Sequence, residues 1–363
     1  MELDAKFGEI MKYKCIDLFC GAGGLSKGFF DSGYDIIAGI DSNAEALVTF
    51  QKNHPTAKAI CYDLSNDIFK STDKDIIELL GSKVDILIGG PPCQGLSIAG
   101  KRIADDPRNK LYKAYINLIK HFKPIAVVLE NVPTIRSLFE GKIADAIIDD
   151  FTKLGFCVSV NTVYASDYGV PQKRRRTFFV GLLKEAFTFP LPYTKQSPIT
   201  CEQAISDLPL LQDELGGPCL PYSYKPVSDY QKLMREGSQF IYNHEAVEHT
   251  KRTKEIIRMV PDGGNYKDLP RELWNTRKVN IAWTRMNSNK PSFTIDAGHN
   301  HHFHYKADRV PTVRECARIQ SFPDSFIFYG KRGSQYRQVG NAVPPLLAKA
   351  IADKLKEYLY VQS

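Results

Sequence analysis

Short runs of apolar and β-branched residues recur through the first half of the chain: Tyr13–Phe19, Tyr34–Ile40, Val84–Gly89 and Pro124–Leu129. Helix-patterned stretches lie between them, and one carries Leu111, Tyr115, Leu118, Ile119 and Phe122 on a single face. Runs that are apolar throughout, rather than alternating, suit strands buried on both faces, and strand–helix alternation brings such strands together in parallel. The expected fold is therefore α/β, a doubly wound, mostly parallel sheet, with Arg176–Leu183 as a further strand. In such sheets ligands lie beyond the carboxyl ends of the strands. Polar or glycine-rich residues directly after each apolar run thus become candidate site residues.

After about Glu185 the texture changes. Phe189–Pro226 is rich in Pro and Gly, and the pattern stays irregular to about Asn300, with short helical pieces such as His249–Met259. From Pro344 to Tyr360 a helix returns, with Leu346, Leu347, Ala350, Ile351 and Leu355 on one face. This divides the chain into a catalytic domain of residues 1–187, completed by 335–363, and a smaller irregular domain of 188–334. The net charge of +7 and the excess of basic over acidic residues between Pro221 and Lys290 (13 Lys/Arg against 8 Asp/Glu) fit a polyanionic partner. No apolar run is long enough for a membrane span and the first residues lack a signal-peptide pattern, so a cytoplasmic protein without membrane attachment is expected. The eight cysteines contain no CxxC pair, which argues against a disulfide framework or a zinc site. His299, His301, His302 and His304 are spaced like metal ligands but lack accompanying carboxylates or cysteines, so no metal is expected.

Five strand ends carry chemistry, counting a short third strand between Asp41 and Asp63, and so does the approach to the last strand. Asp17-Leu18-Phe19-Cys20-Gly21-Ala22-Gly23-Gly24-Leu25 follows the first run, where glycines let backbone approach a ligand closely. Asp41 ends the second strand, where a carboxylate can accept from a ribose; Asp63 follows the third and could accept from an adenine amino group. Gly89-Gly90-Pro91-Pro92-Cys93-Gln94-Gly95-Leu96-Ser97 ends the fourth, where two prolines stiffen the turn that presents a cysteine, the setting a thiolate nucleophile needs. Glu130-Asn131-Val132 closes the fifth strand on the same sheet edge, and a carboxyl in a dry pocket can stay protonated and donate to a base ring. Gln172-Lys173-Arg174-Arg175-Arg176 precedes the last strand, and alternation puts Arg174 and Arg176 on one side.

In this order the segments resemble the DNA cytosine-5 methyltransferases of the bacterial modification type. Arg314-Glu315-Cys316-Ala317-Arg318-Ile319-Gln320-Ser321-Phe322-Pro323-Asp324 and Gln338-Val339-Gly340-Asn341-Ala342-Val343-Pro344-Pro345 are similar to that family's ninth and tenth blocks. Asp41 departs from the family, many of whose members carry Glu there. The resemblance implies a sheet of the S-adenosylmethionine-dependent methyltransferase type. It also implies methyl transfer to carbon 5 of cytosine in double-stranded DNA, through covalent attack by Cys93 on a flipped-out base. Glu130 would assist at the ring, Arg174 would hold the base carbonyl and Arg176 would support the cysteine loop. S-adenosylmethionine would lie against Phe19, Gly21, Gly23, Gly24, Leu25, Asp41, Asp63, Pro92, Leu111 and Asn341. Gln94, Ser97 and Gln172 would contact DNA, with Ser97 and Gly100–Arg102 on a loop that closes over it. The smaller domain would choose the target, with Arg271, Arg277, Arg285 and Asn287 as candidates by residue type. A monomer is expected, with a cognate restriction endonuclease acting on the same site without obligatory complex. A transfer-RNA cytosine-5 methyltransferase shares the Pro-Cys and Glu-Asn-Val elements and is the alternative. A dinucleotide-dependent oxidoreductase would account for Gly21–Gly24 and Asp41 but for none of the other segments.

Overall fold

The computed structural model describes residues 12–92, 109–274, 283–296 and 302–360. The first part of the chain alternates β1 (Lys14–Leu18), α1 (Gly24–Asp31), β2 (Asp35–Asp41), α2 (Ala44–Asn53), β3 (Lys58–Cys61), α3 (Lys74–Leu80), β4 (Ile86–Gly89), α4 (Asn109–Phe122) and β5 (Ala126–Asn131). It continues through α5 (Lys142–Lys153), β6 (Cys157–Tyr164) and β7 (Arg175–Leu182). The seven strands form one sheet in the order β3-β2-β1-β4-β5-β7-β6. β1 to β5 run parallel, and β7 lies antiparallel between β5 and β6. The chain order reverses between β1 and β4, which opens the crevice where doubly wound sheets bind ligands.

The apolar runs are continuous because both faces are covered. Ile86, Ile88, Ala126 and Val128 pack with Phe29, Leu347, Ile351 and Leu355 on one side. Leu87, Val127 and Leu129 pack with Ile76, Leu79, Leu118, Ile119, Ile147 and Phe151 on the other. The expected C-terminal helix is present as α11 (Pro345–Tyr360), and it lies directly on α1. At that crossing a Cβ on Gly28 would stand 2.4 Å from Ala348 Cβ, so only glycine admits the approach.

The second part comprises α6 (Cys201–Ile205), β8 (Gly216–Pro221), α7 (Asp229–Arg235), β9 (Phe240–Glu245), α8 (Lys251–Met259), β10 (Thr284–Arg285), β11 (His302–Phe303), α9 (Val313–Ile319) and α10 (Arg332–Asn341). A core around Ile205, Tyr230, Met234, Ile241, Ala317, Ile319, Phe322 and Tyr336 holds it together. Buried ion pairs reinforce it: Arg318 meets Asp207 at 2.6 Å and Asp324 at 2.7 Å, and Arg309 takes both oxygens of Glu315 at 2.7 Å. Residues around Tyr193 belong with the sheet, since Tyr193 donates its hydroxyl to Tyr168 O at 2.8 Å and its N–H to Asp167 O. The expected break at residue 335 falls inside α10, a single helix from 332 to 341.

His304 titrates in this part of the chain. Burial pushes its imidazole down to about 3, and Nδ1 accepts the N–H groups of Lys306 and Ala307. A free histidine titrates near 6.5. Below that value the unfolded chain binds a proton that the fold refuses, so the stability this histidine contributes is complete above 6.5 and is lost as pH falls. Urea unfolding of wild type and His304→Gln at pH 7.5 and 5.0 should show the gap between them shrinking by about 2 kcal/mol at the lower pH. A gap independent of pH would contradict a neutral buried His304.

Candidate active site

A cavity of about 640 Å³ opens at the carboxyl ends of β1, β2, β4 and β5. Its size is in the range of small-molecule sites. Residues from the glycine-rich turn, Asp41, Asp63, Gly90–Pro92, Leu111, Glu130–Val132, Arg174, Arg176 and the end of α10 line it.

The turn after β1 carries left-handed backbone at Phe19 (φ 62°), Gly21 (φ 53°) and Gly23 (φ 92°). For Phe19 this is a strained conformation, of the kind that concentrates at ligand sites. Asp41 braces the turn: Oδ2 accepts the Gly21 N–H and Oδ1 accepts the Asn43 N–H, both at 2.8 Å. Beneath the turn, Asp17 is buried and accepts from Ser26 Oγ at 2.6 Å. Burial pushes its carboxyl up to about 7. Asp63 is exposed at the rim, accepting the Ser65 N–H, and Asn341 is exposed at the end of α10. Of the residues expected around the cofactor, Phe19, Gly21, Gly24, Leu25, Asp41, Asp63, Pro92, Leu111 and Asn341 line the cavity. Gly23 does not, because its α-carbon faces backward onto His54 and Phe50.

On the opposite wall, parallel pairing of β4 with β5 sets Gly89 beside Leu129, so the loop after β4 and Glu130 meet. A Cβ on Gly90 would lie 2.8 Å from Glu130 Oε2. Asn131 Nδ2 donates to Pro91 O at 2.9 Å and pins the loop that leads to Cys93. Arg176 Nε stands 2.6 Å from Glu130 Oε1. Burial nevertheless holds the Glu130 carboxyl above its ordinary range, against the opposing pull of Arg176 and Arg174. Cys93, Gln94, Ser97 and Gly100–Arg102 lie outside the described residues, as do Arg277, His299 and His301.

Three of the expected contact residues are buried side chains. Gln172 is fully buried rather than turned to a groove: Oε1 accepts the Ile295 N–H, and Nε2 donates to Gln320 Oε1 at 2.8 Å and to Ile319 O. Arg174 is also buried, with Nη1 on Ile295 O at 2.9 Å and Nη2 on Gly340 O at 2.8 Å. It clamps β7 to two distant segments, and Arg176 is the guanidinium that stands beside the acid. Arg285 is buried too, bonded to Ile257 O, His304 O, Ala307 O and Asp308, so it cannot reach a base edge. Arg271 is exposed, whereas Asn287 Oδ1 caps its own turn at Asn289 N. Asn131 and His54 were not singled out from sequence, because their partners Pro91 and Gly23 lie 40 and 31 residues away.

The sheet order, the ligand crevice at the β1/β4 reversal and an acid–guanidinium pair beside Gly90-Pro91-Pro92 fit a methyltransferase-type α/β enzyme. The profile of the family described as C-5 cytosine-specific DNA methylase matches residues 13–357. The type II methyltransferase M.DdeI of Desulfomicrobium norvegicum is 37% identical, covering 94% of this chain and 88% of its own length. M1.HphI of Haemophilus parahaemolyticus is likewise 37% identical, with 94% and 86% covered. A crystal structure described as a DNA modification methyltransferase encoded within an E. coli prophage superposes with a TM-score of 0.78 at 26% identity, covering 96% of this chain and all of that one. The Dnmt2 methyltransferase of S. pombe shares the fold, at 17% identity and a TM-score of 0.61 over 96% of this chain and 99% of its own. The chain belongs to the C-5 cytosine-specific DNA methylase family, and it is a DNA (cytosine-5) methyltransferase.

Proposed function

We propose that this enzyme transfers the methyl group of S-adenosylmethionine to carbon 5 of a cytosine within one short site of duplex DNA, through covalent attack by Cys93 on a flipped-out base. The observation that carries this reading is the Glu130–Arg176 pair, set in the cavity wall against the loop that runs into Cys93. The donor fits the opposite wall. Beyond its chain neighbours Gly21 has no atom within 4 Å of where its Cβ would lie, so its backbone is open to a ligand, and Asp41 and Asp63 on the same wall would offer acceptors to a ribose and an adenine amino group. The sulfonium supplies an electrophilic methyl group.

Carbon 5 of cytosine is a poor nucleophile. Attack of the Cys93 thiolate on carbon 6 forms a C–S bond while protonated Glu130 hydrogen-bonds ring nitrogen 3, and the electron density gathers at carbon 5. Once carbon 5 has taken the methyl group, with S-adenosylhomocysteine left behind, loss of the carbon 5 proton breaks the C–S bond, expels the thiolate and restores the ring. Arg174 and Arg176 both line the cavity, and a guanidinium there supplies the donor for the base carbonyl. A base inside the duplex is out of reach, so it must leave the stack.

The region from about Pro190 to Ala282 selects the site. Phosphate contacts set register, and side chains at base edges discriminate. Exchanging this region for that of a relative should change the methylated sequence while keeping the dependence on Cys93; a folded, active chimera with its original target would contradict the assignment. Asp41→Ala should weaken S-adenosylmethionine binding in calorimetry by about tenfold or more, through lost charge-assisted bonds and an unbraced Gly21. Unchanged affinity would remove Asp41 from the cofactor site.

The type II names of the relatives support a modification role in a restriction-modification system, with a cognate endonuclease reading the same site independently. The enzyme works as a cytoplasmic monomer. Among the described residues no helix is long and apolar enough to cross a membrane. The test is transfer of labelled methyl groups from S-adenosylmethionine to duplex DNA and to transfer RNA. Label in the duplex supports the proposal, and label confined to transfer RNA overturns it.

A further inference from the structure

His54 follows α2 and is 2% exposed, behind the glycine turn rather than in the cavity. Its Nε2 lies 3.3 Å from Gly23 O. A carbonyl only accepts, so Nε2 carries the hydrogen and Nδ1 is left with its lone pair. Among the described residues, that buried Nδ1 has no partner. Three aromatic rings surround the imidazole: Phe50 at 4.8 Å, Phe30 edge-on at 6.2 Å and Phe326 edge-on at 6.3 Å.

An aromatic cage of this kind suits phenylalanine better than histidine, because a bare ring nitrogen loses its hydration without compensation. What histidine supplies is the single Nε2–H donor, and it is spent on Gly23. Gly23 is the residue on which the turn depends. Its φ of 92° is left-handed, its N–H reaches back to Cys20 O, and its carbonyl also starts α1 by accepting the Lys27 N–H. The fit is tight, since a Cβ on Gly23 would stand 2.7 Å from His54 Nε2 and 2.9 Å from the Phe50 ring. The neighbours of Gly23 in the chain, Ala22 and Gly24, face the cavity, while Gly23 faces His54. Asp41 braces the turn from the front at Gly21, and His54 braces it from behind.

We propose that His54 is a positioning residue of the cofactor site, whose Nε2–H holds the Gly23 carbonyl and thereby fixes the turn against which S-adenosylmethionine lies. The inference rests on the cofactor reading given above. Burial also keeps the imidazole uncharged, pushed down to about 4, with Lys27 acting in the same direction. A neutral ring keeps one donor for one acceptor throughout the working pH range.

The test compares His54→Phe, which keeps the ring and deletes the donor, with His54→Gln, which returns an N–H at similar reach. Calorimetry with S-adenosylmethionine should show the Phe variant binding about tenfold more weakly, the loss of one hydrogen bond at a strained turn, and the Gln variant within about threefold of wild type. In steady-state assays the Phe variant should raise KM for S-adenosylmethionine while kcat and the KM for DNA stay within about twofold of wild type. Should His54→Phe not fold, His54→Met serves as the donor-free variant. Equal affinity of the donor-free and wild-type proteins would overturn the proposal. So would a uniform loss of kcat, DNA binding and thermal stability that His54→Gln does not repair. If wild type itself bound no S-adenosylmethionine, the cofactor reading would fall, a result distinct from either.

Discussion

Cys93→Ser should lower methyl transfer by a factor of about 10⁴ or more, while S-adenosylmethionine binding and thermal stability stay near wild type. The other cysteines make this specific. Cys20 also lines the cavity, but burial and the neighbouring Asp17 and Asp41 push its thiol well above the usual range, so it is not a thiolate at neutral pH. Cys15, Cys201 and Cys316 are buried with raised thiols as well. Cys61 and Cys157 are exposed away from the cavity, and serine at either should leave the rate within about twofold, as a surface substitution should. Methyl incorporation into duplex DNA under saturating cofactor checks all three variants. A Cys93→Ser enzyme with wild-type turnover would remove the covalent step.

Glu130→Gln should slow the chemical step by about 10²–10⁴-fold, the usual contribution of general acid–base assistance, with DNA affinity little changed. Glutamine preserves size but cannot share a proton with ring nitrogen 3. It also puts an amide in place of the carboxyl oxygen that Arg176 Nε now meets at 2.6 Å. Single-turnover rates, with DNA binding measured separately, isolate the effect. A rate within about threefold of wild type, far below that range, would take Glu130 out of the catalytic set.

Much of this arrangement is legible in the sequence for a specific reason. The parallel strands are buried on both faces, so β1, β2, β4 and β5 read as uninterrupted apolar runs, and the residues after them fall at one sheet edge by topology alone. β6 was not legible: Cys157–Tyr164 is a largely half-exposed edge strand with Ser159, Asn161 and Thr162 in its middle. Its pairing with β7 is a tertiary fact. Burial of cations was illegible for the same reason. Alternation put Arg174 and Arg176 on one side, but nothing local shows that the first meets the carbonyls of Ile295 and Gly340, 121 and 166 residues away. Arg285, picked for its residue type, likewise goes to backbone carbonyls inside the fold. Charged residues in a basic stretch suggest a surface, and only the packing shows which are consumed internally.

The central claim is that this chain marks carbon 5 of cytosine at a defined site in DNA. Bisulfite sequencing of DNA from a methylation-free host expressing the enzyme tests it most directly, with Cys93→Ser as the control. The account predicts protected cytosines at one position of one short recurring sequence, absent from the control. Full bisulfite conversion in cells containing folded wild-type enzyme, or protection that persists with Cys93→Ser, would contradict it.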